Sequence, residues 1–219
     1  MSDDCKVLNE SISLIINQRM SNNSFILHQN NQAVVIDPSW NAIAIKKWLI
    51  QNNYVLKGII FTHSHFDHIG DSQILQKFYM CPFYIHKKGK SILLNGYNSP
   101  AFAYDFVFQS KDIKTFDTNQ DLMIDSMKIE TLYVPGHTPD SCLFRFGNYV
   151  FSGDHLFIDS IGRTDFQYSN INDMNQSLKI AKHWIQLDNI LCPGHQFSFK
   201  KFSLVLKENN FLNGTFNLL

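Results

Sequence analysis

The sequence predicts a single α/β domain (α+β in its mixture of connections) with a mixed β-sheet and helices packed on its outer side. Strand patterns alternate with helical patterns along most of the chain, 44% of the 219 residues are hydrophobic, and only 17% are charged. A chain of this composition can bury a full core, and sandwich-type folds of roughly 200 to 250 residues often form one unit. We therefore expect one domain over residues 1–219.

The first third of the chain predicts a hairpin and then a βαβ-like unit. Strand patterns at 24–28 and 33–36 flank the loop QNNQ, in which Asn tolerates positive φ. An amphipathic helix is predicted at 41–51, followed by a buried strand at 55–61. A helix at 71–79 and a strand at 83–85 complete the unit.

The segment 91–115 has weak periodicity and receives no assignment. Its aromatic residues look exposed, and a substrate lid, core packing and an oligomer contact are all open for them. They include Phe102, Tyr104, Phe106 and Phe108. Beyond this segment, strands are predicted at 128–134, 142–146, 149–152 and 189–192, and helices at 173–187 and 200–207.

Composition excludes several classes of function. Lysine plus arginine equals aspartate plus glutamate at 19 each, which argues against a nucleic-acid partner. The acidic start and the short apolar stretch 12–16 predict neither a signal peptide nor a membrane span, so we expect a cytoplasmic protein with no membrane partner. The four cysteines are widely spaced and are expected to be reduced, three of them buried. They are Cys5, Cys81, Cys142 and Cys192.

The segment THSHFDH at 62–68 follows directly on a predicted strand. In extended chain His63 and His65 face the same side and can hold one cation, whereas Asp67 and His68 come after the bend and can face a second. A single histidine in such a place is usually structural. Three His and one Asp within six positions favour a metal centre instead.

Three further candidates share one local pattern, an apolar strand that ends in a turn containing glycine. They are His137 in VPGH, Asp154 in FSGD and His195 in LCPGH. Glycine permits the sharp reversal that directs the next side chain toward a shared cleft. Five His and two Asp suit zinc, iron or manganese, and we expect two divalent ions per chain, with zinc as the first choice.

The order H-x-H-x-D-H, G-H-T-P, G-D and G-H, over the chain from Phe25 to His195, resembles the metallo-β-lactamase fold hydrolases. This resemblance implies an αββα sandwich of two mixed sheets between outer helices. It also implies one metal on His63, His65 and His137, and a second on Asp67, His68 and His195. Asp154 would bridge the two, and Asp67 and Asp154 are the expected catalytic residues.

The segments SGDHLF at 152–157 and IGRTDF at 161–166 are similar to the glyoxalase II branch, the hydroxyacylglutathione hydrolases. Only 24 residues follow His195, which matches the short form without the C-terminal helical domain. The resemblance implies hydrolysis of a 2-hydroxyacyl thioester such as S-lactoylglutathione, which is a small-molecule substrate. The nucleophile would be a metal-bridging hydroxide, formed from bound water whose pKa is lowered to about 7. The chain departs from the branch at Asp71, Asp140 and Gln196.

Other readings remain open. A mononuclear iron persulfide dioxygenase shares the loop at 162–167 but needs only a His, His, Asp set, and lactone or phosphodiester hydrolases also use this fold. A non-catalytic binding protein is expected to lose metal ligands.

The roles of some polar residues near these motifs are also open. His155 is either structural or an orienting partner of the ligands. Arg163 and Asp165 either anchor their loop as an ion pair or meet substrate, while His28, His86 and His183 are expected to be structural.

Overall fold

A computed structural model describes residues 5–17, 20–96, 108–110 and 112–214. Its strands form two sheets. The seven-stranded sheet contains, in spatial order, β1 (Cys5–Asn9), β2 (Ile12–Ile16), β3 (Asn23–Gln29), β4 (Gln32–Ile36), β5 (Val55–Ile60), β6 (Phe83–His86) and β7 (Ile113–Phe116). The six-stranded sheet contains β13 (Lys200–Lys201), β12 (Ile190–Pro193), β11 (Tyr149–Gly153), β10 (Cys142–Phe146), β9 (Met127–Tyr133) and β8 (Leu122–Ile124).

Both sheets are mixed, as the sequence predicts. Strands β4 to β7 pair in parallel, and the remaining pairs of the first sheet are antiparallel. In the second sheet β11 and β12 are parallel, and the other pairs are antiparallel. Parallel strands end at the same edge of a sheet, so the loops after β4, β5, β11 and β12 can converge on one site.

Alternation along the strands separates three cores. On β4, Val34 and Ile36 point into a core between the two sheets, while Ala33 and Val35 point to the opposite face. That outer face is covered by α1 (Ala42–Gln51), α3 (Ser72–Tyr79) and α4 (Lys87–Asn95). The outer face of the second sheet is covered by α5 (Ile171–Trp184) and α6 (Phe202–Glu208). The result is the αββα sandwich that the resemblance implies.

Helix α5 shows how a cap moves a predicted boundary. The sequence places its start at residue 173, whereas the helix begins at Ile171 because the Asn170 side chain accepts hydrogen bonds from the backbone N–H of Asn172 and Asp173. The predicted apolar face is correct, since Met174, Leu178 and Ala181 are buried.

The segment 91–115 contains structure that weak periodicity conceals. Residues 91–95 complete α4, and β7 begins at Ile113. Phe108 is buried against Phe61 and Phe83, so its exposed appearance in sequence is misleading and core packing is its role. Phe102, Tyr104 and Phe106 lie outside the described residues.

The cysteines are all free, and three of them are buried, as expected. Burial raises the pKa of the Cys81 thiol to about 12, which makes it unreactive at neutral pH. Over the described ranges, no helix has both the length and the apolar character required to cross a bilayer.

Candidate metal centre

All seven side chains singled out in the sequence lie where a strand ends. His63 and His65 follow β5, and Asp67 and His68 lie in the short helix α2 (Phe66–Ile69). His137 follows β9. Asp154 follows β11, and His195 follows β12. The two sheets bring six of these side chains into two groups, and the donor atoms of each group lie within 4.8 Å of one another.

The first group consists of three imidazoles. The Nδ1 atom of His65 lies 3.1 Å from Nε2 of His63 and 3.0 Å from Nε2 of His137. His63 is 1% exposed and His137 is 4% exposed. Three ring nitrogens therefore converge on one small buried volume.

The second group combines a carboxylate with two imidazoles. The Oδ2 atom of Asp67 lies 3.2 Å from Nε2 of His195 and 3.7 Å from Nε2 of His68. His68 is completely buried, whereas the side chain of His195 is 25% exposed. This group is the more accessible of the two.

Asp154 lies between the two groups. One carboxylate oxygen is 3.3 Å from Nε2 of His68, and the other is 3.4 Å from Nε2 of His195 and 3.8 Å from Nε2 of His137. A single carboxylate therefore approaches both groups, which is the position required of a bridging ligand.

The other ring nitrogens fix the tautomers. Nδ1 of His68 donates to the Asp37 carboxylate at 2.8 Å, Nδ1 of His137 to the Arg163 carbonyl at 2.9 Å, and Nδ1 of His195 to the Met20 carbonyl at 3.2 Å. These acceptors leave the Nε2 lone pairs directed toward the centre, which is how proteins orient imidazole ligands.

His63 is held in the same way through Thr62. The Thr62 hydroxyl donates its proton to Asp37 at 2.6 Å and can therefore only accept from Nδ1 of His63 at 3.0 Å. The lone pair on Nε2 of His63 then points toward Nδ1 of His65, 3.1 Å away. Electron-rich nitrogens at such short separations are stabilised by a cation between them.

Two buried atoms also lack partners. Nε2 of His68 and Oδ1 of Asp154 are 3.3 Å apart, and neither has a well-aligned hydrogen-bond partner among the described residues. Buried polar atoms are normally satisfied, so an unmet pair in a cluster of metal-ligating residues points to an ion. The donor set and its orientation fit a pair of divalent cations.

Electrostatics separates the two groups. Burial lowers the pKa of His65 to about 3 and holds the pKa of His63 well below its usual value, so both rings are neutral at pH 7. In the second group burial also favours the neutral ring, but hydrogen bonds to Asp154 and Asp67 outweigh it and raise the pKa of His195 to about 9. The pKa of His68 is likewise raised, because Asp154, Asp67 and Asp37 outweigh burial.

Asp37 is the important residue that the sequence analysis did not single out. It follows β4 with φ of 49°, and its carboxylate accepts from the Thr62 backbone N–H at 2.8 Å, from the Thr62 hydroxyl and from His68. The signal was present, since VVID is another apolar strand ending in a potential ligand. It was overlooked because no glycine marks the turn.

Two glycines make room for the centre. Gly153 has φ of 50°, and a Cβ atom there would lie 2.4 Å from the Thr62 hydroxyl. A Cβ atom on Gly194 would lie 2.6 Å from both an Asp154 carboxylate oxygen and the His68 ring. Both positions require the absence of a side chain.

The loop after Asp154 forms one wall of the centre. Arg163 and Asp165 form the anticipated two-contact ion pair at 2.9 and 2.8 Å. The Phe166 ring lies beside the rings of His65 and His137 at 5.7 and 5.8 Å. His155 is buried, but within the described residues neither of its ring nitrogens has a hydrogen-bond partner, so no orienting contact supports the alternative role considered for it.

The three departures from the resembled branch each have a structural contact. Asp71 accepts a hydrogen bond from the Ala42 backbone N–H at the start of α1. Asp140 is fully buried and accepts from the Ser64 hydroxyl at 3.1 Å. Gln196 joins the loop after β11, since it accepts from Ile158 N–H and donates to Asp159.

Comparison with known proteins agrees with this geometry. The family model described as "Metallo-beta-lactamase superfamily" matches residues 17–195. The probable polyketide biosynthesis zinc-dependent hydrolase PksB of Bacillus subtilis is 26% identical over 168 residues, which cover 77% of this chain and 69% of that protein. The probable metallo-hydrolase YqgX of the same organism is 27% identical over 177 residues, covering 79% of this chain and 84% of that protein.

A solved structure extends the agreement to three dimensions. The crystal structure of the BLEG-1 B3 metallo-beta-lactamase is 27% identical, superposes with a TM-score of 0.83, and covers 93% of this chain and 100% of its own. This chain belongs to the metallo-beta-lactamase superfamily of metal-dependent hydrolases, whose members bind divalent metals, typically two.

Proposed function

We propose that this chain is a binuclear, zinc-dependent hydrolase of the glyoxalase II-like branch that cleaves a 2-hydroxyacyl thioester such as S-lactoylglutathione. All seven side chains act as metal ligands in one metallo-β-lactamase-like domain. The observation that carries the binuclear assignment is the position of Asp154, whose two carboxylate oxygens approach imidazoles of both groups. The name of the similar protein PksB, a zinc-dependent hydrolase, supports zinc as the metal.

The two groups of residues provide two separate cation positions. His63, His65 and His137 would hold the first, and Asp67, His68 and His195 the second, with Asp154 shared between them. The chemistry that such cations supply when bound is Lewis acidity, which lowers the pKa of coordinated water to about 7 and polarises an acyl carbonyl.

The protein contributes position and proton handling. Asp67 is held by Asn22 and His195 at the mouth of the second group, where its carboxylate can accept a hydrogen bond from the attacking water and orient it. Water adds to the acyl carbon, the carbon–sulfur bond breaks, and its electron pair leaves with sulfur. The proton that the attacking water loses passes to the thiolate sulfur, so the products are a free thiol and a hydroxy acid.

Two observations support the thioester as substrate. The first is the resemblance of the segments at 152–157 and 161–166 to the glyoxalase II branch. The second is that the latter segment belongs to the site, since the Arg163 backbone carbonyl accepts from the His137 ring and Phe166 lies against two imidazoles of the first group. Because the persulfide dioxygenases share this loop, it supports the thioester only together with the second group of candidate ligands, which the dioxygenase does not need.

The experiment is a substrate panel with zinc-loaded protein. Thiol release from S-lactoylglutathione and other acyl thioesters is followed with a colorimetric reagent beside lactone and phosphodiester hydrolysis, and Asp154→Asn serves as the inactive control. We expect thioester turnover that Asp154→Asn abolishes. Inert thioesters together with cleavage of a lactone or phosphodiester would overturn the substrate assignment and retain the binuclear site. Oxygen uptake with glutathione persulfide in an iron-loaded sample would replace hydrolysis by the dioxygenase reaction.

A further inference from the structure

Asn22 is a buried side chain at the metal centre that belongs to none of the motifs found in the sequence. It directly precedes β3 and is completely buried. Its side-chain nitrogen Nδ2 lies 3.0 Å from Oδ2 of Asp67 and 3.3 Å from Nε2 of His195. One neutral amide thus contacts two of the three donor residues of the second group.

The orientation of the amide follows from what it touches. If its oxygen and nitrogen were exchanged, an amide oxygen would face a carboxylate oxygen at 3.0 Å, and both atoms are acceptors. The nitrogen therefore points toward Asp67 and donates. If Nε2 of His195 binds a cation, it cannot accept a hydrogen bond from Asn22. The Asp67 carboxylate is then the acceptor for the Asn22 N–H group.

The amide oxygen of Asn22 indicates that the side chain is placed for the contact that its nitrogen makes. Oδ1 of Asn22 is buried and has no hydrogen-bond partner in the part of the chain that the structure describes. A buried amide with one end unsatisfied is unfavourable for folding alone. It is retained beside a carboxylate that two imidazoles also approach.

The backbone around Asn22 is held without help from its side chain. Asn22 and His195 form an isolated antiparallel bridge, the Asn23 N–H donates to the Gly194 carbonyl at 2.7 Å, and the Met20 carbonyl accepts from the His195 ring. A substitution of the side chain is therefore expected to leave the segment in place. This makes the contribution of the amide separable from that of the fold.

We infer that Asn22 is a positioning residue of the second metal position. Its N–H holds Asp67 so that the carboxylate presents a fixed lone pair to the cation, while the uncharged amide adds no repulsion toward that cation. This role rests on the proposed binuclear site. It predicts that loss of the amide weakens the second metal position selectively and leaves the three-imidazole group intact.

The test measures the two affinities separately. Metal-free protein is titrated with Zn²⁺ against a chromophoric chelator, and with Co²⁺ while the visible absorption of each equivalent is recorded. For Asn22→Ala and for the similarly sized Asn22→Leu we expect the second equivalent to bind about 10- to 100-fold more weakly, with an altered second cobalt spectrum and an unchanged first equivalent.

Asn41→Ala is the matched control. Asn41 is also a buried amide, but its Nδ2 donates to the Ser24 hydroxyl at 2.9 Å and does not contact the seven candidate ligands. It should bind both equivalents as the wild type does. Retention of the first equivalent in the Asn22 variants demonstrates that they are folded.

The outcomes are distinct. Wild-type affinity for both equivalents in the two Asn22 variants would overturn the inference. It would also be overturned if Asn22→Ala and Asn41→Ala each lost affinity for both equivalents to the same extent, because that result reports general destabilisation. A wild-type protein that binds only one equivalent would instead refute the binuclear site on which the inference rests.

Discussion

The two halves of the candidate metal centre differ in chemistry, although Asp154 approaches both of them. The first half contains three neutral imidazoles, and burial holds the pKa of each below its usual value. The second contains a carboxylate and two imidazoles whose pKa values the surrounding carboxylates raise. The first half therefore presents unprotonated nitrogen lone pairs to a cation. In the second half, without a cation, the charges of the carboxylates and the imidazoles compensate one another.

Their accessibility and attachment differ as well. His63 and His137 are almost fully buried, and they are held by Thr62 and by the Arg163 carbonyl. His195 is partly exposed and is held by the carbonyl of Met20, far away in sequence. The difference teaches that the two positions should bind metal with unequal affinity, the first more tightly than the second.

The substitution with the largest expected effect is Asp154→Asn, which should act on both metal positions and not on one of them. An amide keeps the shape of the carboxylate but removes the negative charge that both groups share, so both positions should weaken together. Turnover of the thioester should fall by at least about 10³-fold. Elemental analysis and thiol-release assays check this, and a variant that keeps two equivalents with normal turnover would refute the bridging role.

A pair of substitutions sharpens the difference instead. His195→Ala should weaken the second equivalent by more than about 100-fold and leave the first, because only the second group loses a donor. His137→Ala should do the opposite. Chelator competition measures both, and identical profiles for the two variants would mean that the halves are not independent positions.

Asp37→Asn tests the support beneath the second half. The Asn side chain cannot accept all of the hydrogen bonds that Thr62 and His68 now donate, so the His68 ring loses its fixed tautomer. We expect the second equivalent to bind about 10- to 100-fold more weakly. The first should change less, because Thr62 remains beside His63. The Co²⁺ spectrum of each equivalent reports this, and an unaffected second equivalent would argue against the role of Asp37.

Asp140→Asn should have the smallest effect on the centre and a clear effect on stability. Burial raises the pKa of the Asp140 carboxyl to about 6, only partly offset by hydrogen bonds from Thr138 and Ser64. Asn retains an acceptor for Ser64, so the binding of both metal equivalents should change less than threefold, as chelator competition would show.

The pH dependence of this variant follows from the sign of the shift. Below about pH 4 the carboxyl is protonated in the folded and unfolded states, and the variant should match the wild type. Between about pH 4 and 6 the unfolded state loses its proton first, so the wild type loses stability as pH rises. Above pH 6 the variant should be more stable by about 3 kcal/mol. Urea unfolding of metal-free protein at pH 4 and pH 7 measures this, and a constant difference would contradict it.

The part of the fold that the sequence predicts is the part with strong local patterns. The hairpin through Asn30 and Asn31, the strand at Cys142–Phe146 and the buried face of α5 are all confirmed. Strands β1 and β2 were not assigned, and β8 has only three residues. These strands pair with neighbours in sequence, β1 with β2 and β8 with β9, but each is short and β1 lacks an alternating burial pattern, so the local signal for them is weak.

The candidate site divides in the same way. His63, His65, Asp67 and His68 are close in sequence, and the other three members share a strand followed by glycine, so local patterns are sufficient to identify them. Asp37 follows an apolar strand but no glycine marks its turn, and Asn22 is recognisable only after folding. The first acts through His68 and Thr62, and the second reaches the centre by pairing with a loop near the other end of the chain.

That pairing has a consequence for biosynthesis. Asn22 and His195 are 173 positions apart, so the second half of the centre cannot assemble until nearly the whole described chain has left the ribosome. The three imidazoles of the first half are all synthesised once the chain reaches His137, ahead of the shared Asp154. We therefore expect the order of synthesis to favour loading of the first position before the second.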